Sequence, residues 1–196
     1  MNENDDQGKE VNSESEARAS QEEFTRDFLV STEEEENEYY LFKSKTDAYT
    51  MLFPENAIIS KVGYEQNHDV YETFNFSENV RDENLAFYYT INFDSEMVSG
   101  DVDLYLKKLS RYTNYEGEYE EFEHEGKTYY YAEHMFEVEE EKAYNYFSLI
   151  KPNNSDKALR FVARSSCLDF DKECTPDQEH IKEKFLKMMK TVEFID

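Results

Sequence analysis

Asn84-Leu-Ala-Phe-Tyr-Tyr-Thr-Ile-Asn-Phe-Asp94 alternates without a break. Leu85, Phe87, Tyr89, Ile91 and Phe93 fall on one side of an extended chain, and Ala86, Tyr88, Thr90 and Asn92 on the other. Successive strand side chains point to opposite faces, so one fully apolar face and one partly wet face read as a sheet strand packed on a core. The runs around it share that character. Tyr39–Lys43, Tyr49–Phe53 and Ala57–Val62 precede it, with Val70–Phe76, where Glu72 interrupts an otherwise apolar face. Glu118–Glu123 and Lys127–Val138 follow, joined at Glu125-Gly126, where Gly supplies the positive φ of a tight hairpin. Ala143–Ile150 and Ala158–Ser165 form another hairpin, and Leu159, Phe161 and Ala163 share one face of its second arm.

Two helices interrupt the strands. Asp101 is a good N-cap for a helix ending at Glu116-Gly117, with Val102, Tyr105, Leu106, Leu109 and Tyr112 at helical spacing. Thr175-Pro-Asp-Gln178 predicts a helix start with Thr as cap and Pro in the first turn, and Ile181, Phe185, Met188 and Met189 form its apolar stripe. Hairpin connections make the sheet largely antiparallel, and two amphipathic helices must cover it. The fold class is therefore α+β, a layered sandwich spanning residues 39–196. Residues 1–38 read as an acidic arm. Up to about Gln21 it lacks the apolar residues needed to offset ordering entropy, so it is expected to be disordered. Ser20-Gln-Glu-Glu23 fits a capping box for a short helix near residues 20–30 that docks through Phe24, Phe28 and Leu29.

The chain has 46 Asp and Glu against 21 Lys and Arg, a formal charge of −25. Nucleic-acid binding needs a basic patch that no run here supplies, and an anionic membrane surface repels such a domain. A cationic partner is attracted, although high charge also simply maintains solubility. No stretch approaches the roughly 20 apolar residues of a membrane span, and Met1 is not followed by a basic and then apolar leader. Cys167 and Cys174 are the only cysteines. Their spacing is too wide for a redox or zinc half-site. A disulfide across this short loop implies an oxidising compartment; two reduced, buried thiols are the alternative.

The pattern resembles the PsbP-like fold, a group that includes bacterial proteins of the DcrB type. The matching features are Tyr49-Thr-Met-Leu-Phe-Pro54, the helix Asp101–Tyr115, the Gly126 hairpin leading into Tyr129-Tyr-Tyr-Ala132, and the final helix running into Thr191-Val-Glu-Phe194. This implies an α/β/α sandwich. The chain also resembles the mature part of a Gram-positive surface lipoprotein, with Asn2–Ser20 as the tether and a lipid-bearing Cys upstream. A native start at Met1 would instead place it in the cytoplasm.

His68, His124, His134 and His180 make no metal spacing. Asp169, Asp171 and Glu173 set carboxylates at alternate positions, as a calcium loop begins, but the Gly and Glu required further on are missing. No metal or cofactor is assigned, with this trio kept as a calcium candidate. No GxSxG motif and no Cys in a His setting argue for a nucleophile. Arg160 and Arg164 share a strand face, either paired with nearby Glu or free for an anionic ligand. Tyr129, Tyr131, Tyr144 and Tyr146 sit at alternate positions of neighbouring strands, either as an aromatic surface for a partner or glycan or as a floor for the second helix. The expected function is a non-enzymatic binding or accessory module tethered at the cell surface, acting on a protein or envelope component. The alternative is a cytoplasmic acidic inhibitor or immunity protein that masks a basic partner.

Overall fold

A computed structural model describes residues 17–97, 101–138, 141–169, 171–172 and 174–195. The alternating segment forms β6 (Leu85–Asp94), held between β5 (Tyr71–Val80) and β10 (Ala158–Cys167). The sheet continues through β9 (Glu141–Pro152) and β8 (Lys127–Val138) to edge strand β7 (Glu120–His124). On its other side β3 (Ile58–Ile59) and β4 (Glu65–Asn67) both pair with β5, completing an antiparallel sheet of eight strands. A second sheet joins β1 (Tyr39–Lys43), β2 (Tyr49–Pro54) and β11 (Glu193–Phe194). Helix α3 (Val102–Thr113) lies between β6 and β7 in sequence, and α4 (Gln178–Lys190) precedes β11.

The eight-stranded sheet has two differently covered faces. Its inner face carries Phe74, Phe76, Phe87, Tyr89, Ile91, Phe93, Phe161 and Ile150, all buried in one core with the small sheet and α4. Its outer face carries Ala132, Phe147, Leu149, Ala158 and Val162, which form a smaller core with Tyr105 and Leu109 of α3. The fold is thus an α+β sandwich with helices on both sides of a largely antiparallel sheet. Tyr112, expected on the apolar stripe of α3, is 59% exposed and meets Thr90 through its hydroxyl at 3.2 Å.

Cap chemistry moves the expected helix ends by a few residues. Asp101 accepts from the Leu104 N–H at 3.0 Å, as its position predicts. The helix stops at Asn114, whose left-handed φ of 53° ends it before Glu116-Gly117. In α4 the cap is Asp177, which accepts from the His180 N–H at 3.2 Å, and not Thr175. Near the N-terminus two short turns, α1 (Arg18–Gln21) and α2 (Glu23–Arg26), replace one helix. Glu22, not Ser20, caps the second by accepting from Phe24 and Thr25. Ala19 and Phe28 join the inner core, and Ala19 donates to Glu55 O at 2.8 Å. Residues 1–16 of the arm, with Ser99, Phe170 and Glu173, lie outside the described residues.

Glu72, the apparent flaw in β5, points inward and is 0% exposed. It accepts from the Lys45 N–H at 2.9 Å, the Tyr64 hydroxyl at 3.2 Å and the Tyr49 hydroxyl at 3.3 Å. Burial raises its carboxyl above the ordinary value of 4.5, and these donors pull part of that shift back. The folded pKa therefore exceeds the unfolded one. Below both values Glu72 has no pH effect, and stability falls as pH climbs through the raised value, because the native state holds a proton the unfolded chain has released. Urea unfolding at about pH 4 and about pH 7.5 should show wild type losing stability relative to Glu72→Gln as pH rises. A difference that stays flat or grows would mean the carboxylate is held charged at no cost.

Candidate functional site

Tyr129 and Tyr131 on β8 and Tyr144 and Tyr146 on β9 share the inner face through the register Tyr129↔Ile150, Glu133↔Tyr146 and Met135↔Tyr144. They do not form an open surface. Tyr129, Tyr131 and Tyr146 are buried and Tyr144 is half-buried, because the apolar stripe of α4 needs a floor. The Tyr146 ring lies 5.2 Å from Phe185 of that stripe. Tyr131 donates to Glu133 at 2.9 Å and Tyr146 donates to Gln178. Burial, with neighbouring carboxylates, raises the pKa of Tyr129, Tyr131 and Tyr146. Their hydroxyls stay neutral and structural at physiological pH.

Cys167 and Cys174 are joined in a disulfide. It ties the end of β10 to the segment that leads into α4. Asn84 holds the loop from the other side: its side chain donates to Asp169 O at 2.9 Å and accepts from the Asp169 N–H at 2.9 Å. The Asp169 carboxylate turns to Lys172 at 2.9 Å and to the Asp171 N–H at 3.2 Å, which lowers its pKa. Lys172 thus pairs with the first carboxylate of the calcium candidate, and Glu173 lies outside the described residues. Among the described residues no group of three or more His, Cys, Asp or Glu is placed to hold a metal. The four histidines are dispersed: His124 is on β7, His134 on β8, His180 in the first turn of α4, and His68 in the turn between β4 and β5.

Arg160 and Arg164 share the outer face but differ in surroundings. Arg160 is largely covered, lies 3.9 Å from Asp94, and sits over the Tyr105 ring. Arg164 is exposed, donates through Nε to Asn145 Oδ1 at 3.1 Å, and stacks 4.9 Å from the Phe136 ring centre. Among the described residues only Arg160 of the two has a carboxylate partner, and it is Asp94 rather than one of the Glu weighed from the sequence.

A groove of about 590 Å³ runs between α4, β5 and the loop before β1. Glu78 lies in it, accepting from Lys184 at 2.8 Å and from Tyr89 at 3.2 Å. Lys187 crosses to Glu36 at 2.7 Å and covers the Tyr39 ring, as Lys184 covers Phe87. Burial and then the charges of Glu34 and Glu38 raise the pKa of Glu55 on its rim. Its lining has no Ser, Thr or Cys to act as a nucleophile. The lysines of α4 already occupy it, so the groove works as a clasp on the Glu-rich loop. Sequence reasoning missed Glu78; its alternation with Glu72, Phe74 and Phe76 on one strand was the available signal.

The chain is 27% identical over 184 residues to the curated protein "Putative lipoprotein YvcA" of Bacillus subtilis (strain 168), covering 90% of this chain and 76% of that one. Among solved structures it is similar to the Saccharomyces cerevisiae Ran-binding protein Mog1p, with a TM-score of 0.51 over 81% of this chain and 96% of that chain. A variant of protein Mog1 gives a TM-score of 0.53 over the same shares. Both are 12% identical to this chain, and that likeness shows the fold alone. The family model described as "Putative lipoprotein YvcA" matches residues 15–193, and the chain belongs to that YvcA_Mog1p family.

Proposed function

We propose that this chain is the folded part of a lipoprotein held outside the cytoplasmic membrane, where it works as a non-enzymatic binding or accessory module. The closed Cys167–Cys174 bridge carries the reading. Structural disulfides persist in oxidising compartments, and this one occurs in a member of a lipoprotein family. The Asn-, Asp-, Glu- and Ser-rich composition of residues 2–16 suits a polar tether below an upstream lipidated Cys. In the clasped groove Lys184 and Lys187, and beneath α4 the hydroxyls of Tyr131 and Tyr146, are engaged in holding the fold, which supports an accessory role over catalysis.

The test is made on the protein in its native cells. Acid quenching followed by alkylation should leave both cysteines unmodified until reductant is added. Protease added to intact cells should degrade the protein, and its N-terminal peptide should carry a diacylglyceryl Cys upstream of Asn2. Two alkylated thiols on a protein in the soluble fraction would overturn the reading and favour an acidic inhibitor of a basic cytoplasmic partner.

The bridge closes a loop with a sequence separation of 7. Cutting so short a loop should cost about 2 kcal/mol by the chain-entropy relation. Urea unfolding of the purified protein with and without reductant should show a midpoint lowered accordingly. An unchanged midpoint would mean that Asn84 alone fixes the loop.

A further inference from the structure

Helix α3 covers only part of the outer sheet face. Beside its C-terminal end the face is open, and the strand register sets a row across it: Ser77, Tyr88, Arg164, Asn145 and His134. The flanking rows run from Asn79 to Phe136 and from Asn75 to Ala132, the second passing under α3 at Val162, Phe147 and Ala132. None of the strand residues in these three rows is Asp or Glu, in a chain with 46 of them. Acidic side chains crowd the rest of the described surface and are absent from these strand positions.

What stands exposed among small polar residues includes the side-chain types common at interface centres. Tyr88 is 51% exposed and Tyr112, at the edge of α3, is 59% exposed. Interface cores are enriched in Tyr and Arg and depleted in Asp, Glu and Lys, and Tyr and Arg dominate binding energy. Arg164 is held in place by Asn145, which is 2% exposed, and by the Phe136 ring. Among the described residues it makes no ion pair. Its outer N–H groups are free to form the two parallel bonds that a carboxylate accepts.

The charge on the page selects the occupant. A second copy would set two chains of −25 against each other and, in an isologous contact, Arg164 near its own image. One arginine does not make the basic patch a nucleic acid or an anionic membrane needs. We propose that this open face docks a partner protein, neutral or basic overall, that places one Asp or Glu carboxylate on Arg164 between Tyr88 and Phe136. The proposal rests on the binding-module reading but not on the compartment.

The test places a photo-reactive benzoylphenylalanine at Tyr88, and as a control at Glu183 on α4, in the full chain within its native cells. Irradiation should give one discrete adduct from position 88 and not from position 183. Arg164→Glu and Arg164→Gln should each reduce it at least about tenfold, the scale for losing a desolvated charged pair. The Gln variant keeps an N–H donor for Asn145, and both should keep the wild-type Tm. Replacing the carboxylate in the cross-linked partner peptide by Lys should restore the adduct with Arg164→Glu. Lack of an adduct, equal adducts from both positions, persistence in the Arg164 variants, or a product of twice this chain's mass would each overturn the proposal. An Arg164-dependent adduct in a cytoplasmic protein would keep the interface and remove only the tethered reading. Thiol closure and protease sensitivity without the adduct would do the reverse.

Discussion

A chain of aromatic rings between the two sheets holds this acidic molecule together. Phe28 stacks on Phe42 at 5.5 Å, and Phe42 on Phe74 at 5.0 Å. Phe53 meets Phe76 at 4.8 Å, Phe76 stacks on Tyr89 at 4.2 Å, and Tyr89 meets Phe185 edge-on at 5.5 Å. That path links the N-terminal turns, the small sheet, the large sheet and α4. Each ring buries a large area, and each well-oriented pair adds about 0.5–1.5 kcal/mol beyond it. The folded state must outweigh the self-repulsion of −25 charges. Concentrating burial in aromatic rings, drawn from 16 Tyr and 15 Phe of which most of the Phe are buried, does so with few residues.

Buried polar groups then fix which surfaces meet. Glu72 ties β5 to Tyr49 of the small sheet, and Glu78 ties the same strand to Lys184 of α4. Lys127, 3% exposed, donates to Val192 O at 2.8 Å and to Glu193, and so fastens the chain's end to β8. Removing one partner of such a contact leaves a buried group unsatisfied, which costs more than the contact contributes when whole. Ring packing alone tolerates sliding, because it is only weakly directional. These hydrogen bonds are not, and they set the angle of α4 over the sheet.

This division also explains what was legible beforehand. The alternation in β6 and the stripe of α4 follow from local periods, and the antiparallel α+β sandwich follows from them. The lipoprotein resemblance rested on a polar segment before a domain of this pattern, and the family match carries that half of the reading. Glu72 looked like a break in a strand because its donors come from Lys45, Tyr49 and Tyr64, up to 27 residues away. The four tyrosines were placed on one strand face, but whether α4 or solvent met them depended on tertiary packing. The cap of α4 moved from Thr175 to Asp177 because two good caps stood two residues apart and local propensity did not choose between them. The different surroundings of Arg160 and Arg164 depended on Asp94, which reaches Arg160 only through the pairing of β6 with β10.

The placement of acid narrows where such a module can touch another molecule. Edge strand β7 exposes Glu120, Glu121 and Glu123, a charge pattern that resists pairing with a further strand. The groove beside α4 is filled by the chain's own Lys184 and Lys187. The inner sheet face is closed by α4 and the small sheet. On the outer face α3 closes one half, beside which the pairing of β6 with β10 brings Asp94 to Arg160. Among the described residues the other half combines exposure, aromatic area and strand positions without carboxylates. Keeping acid away from one patch while the rest of the surface is saturated with it spares neighbouring strands carboxylate repulsion, and Thr favours a strand more than Glu does. It also has a role in recognition, because it leaves a place where a negative group on a partner is not repelled at contact while the surrounding field still rejects partners of the wrong overall charge.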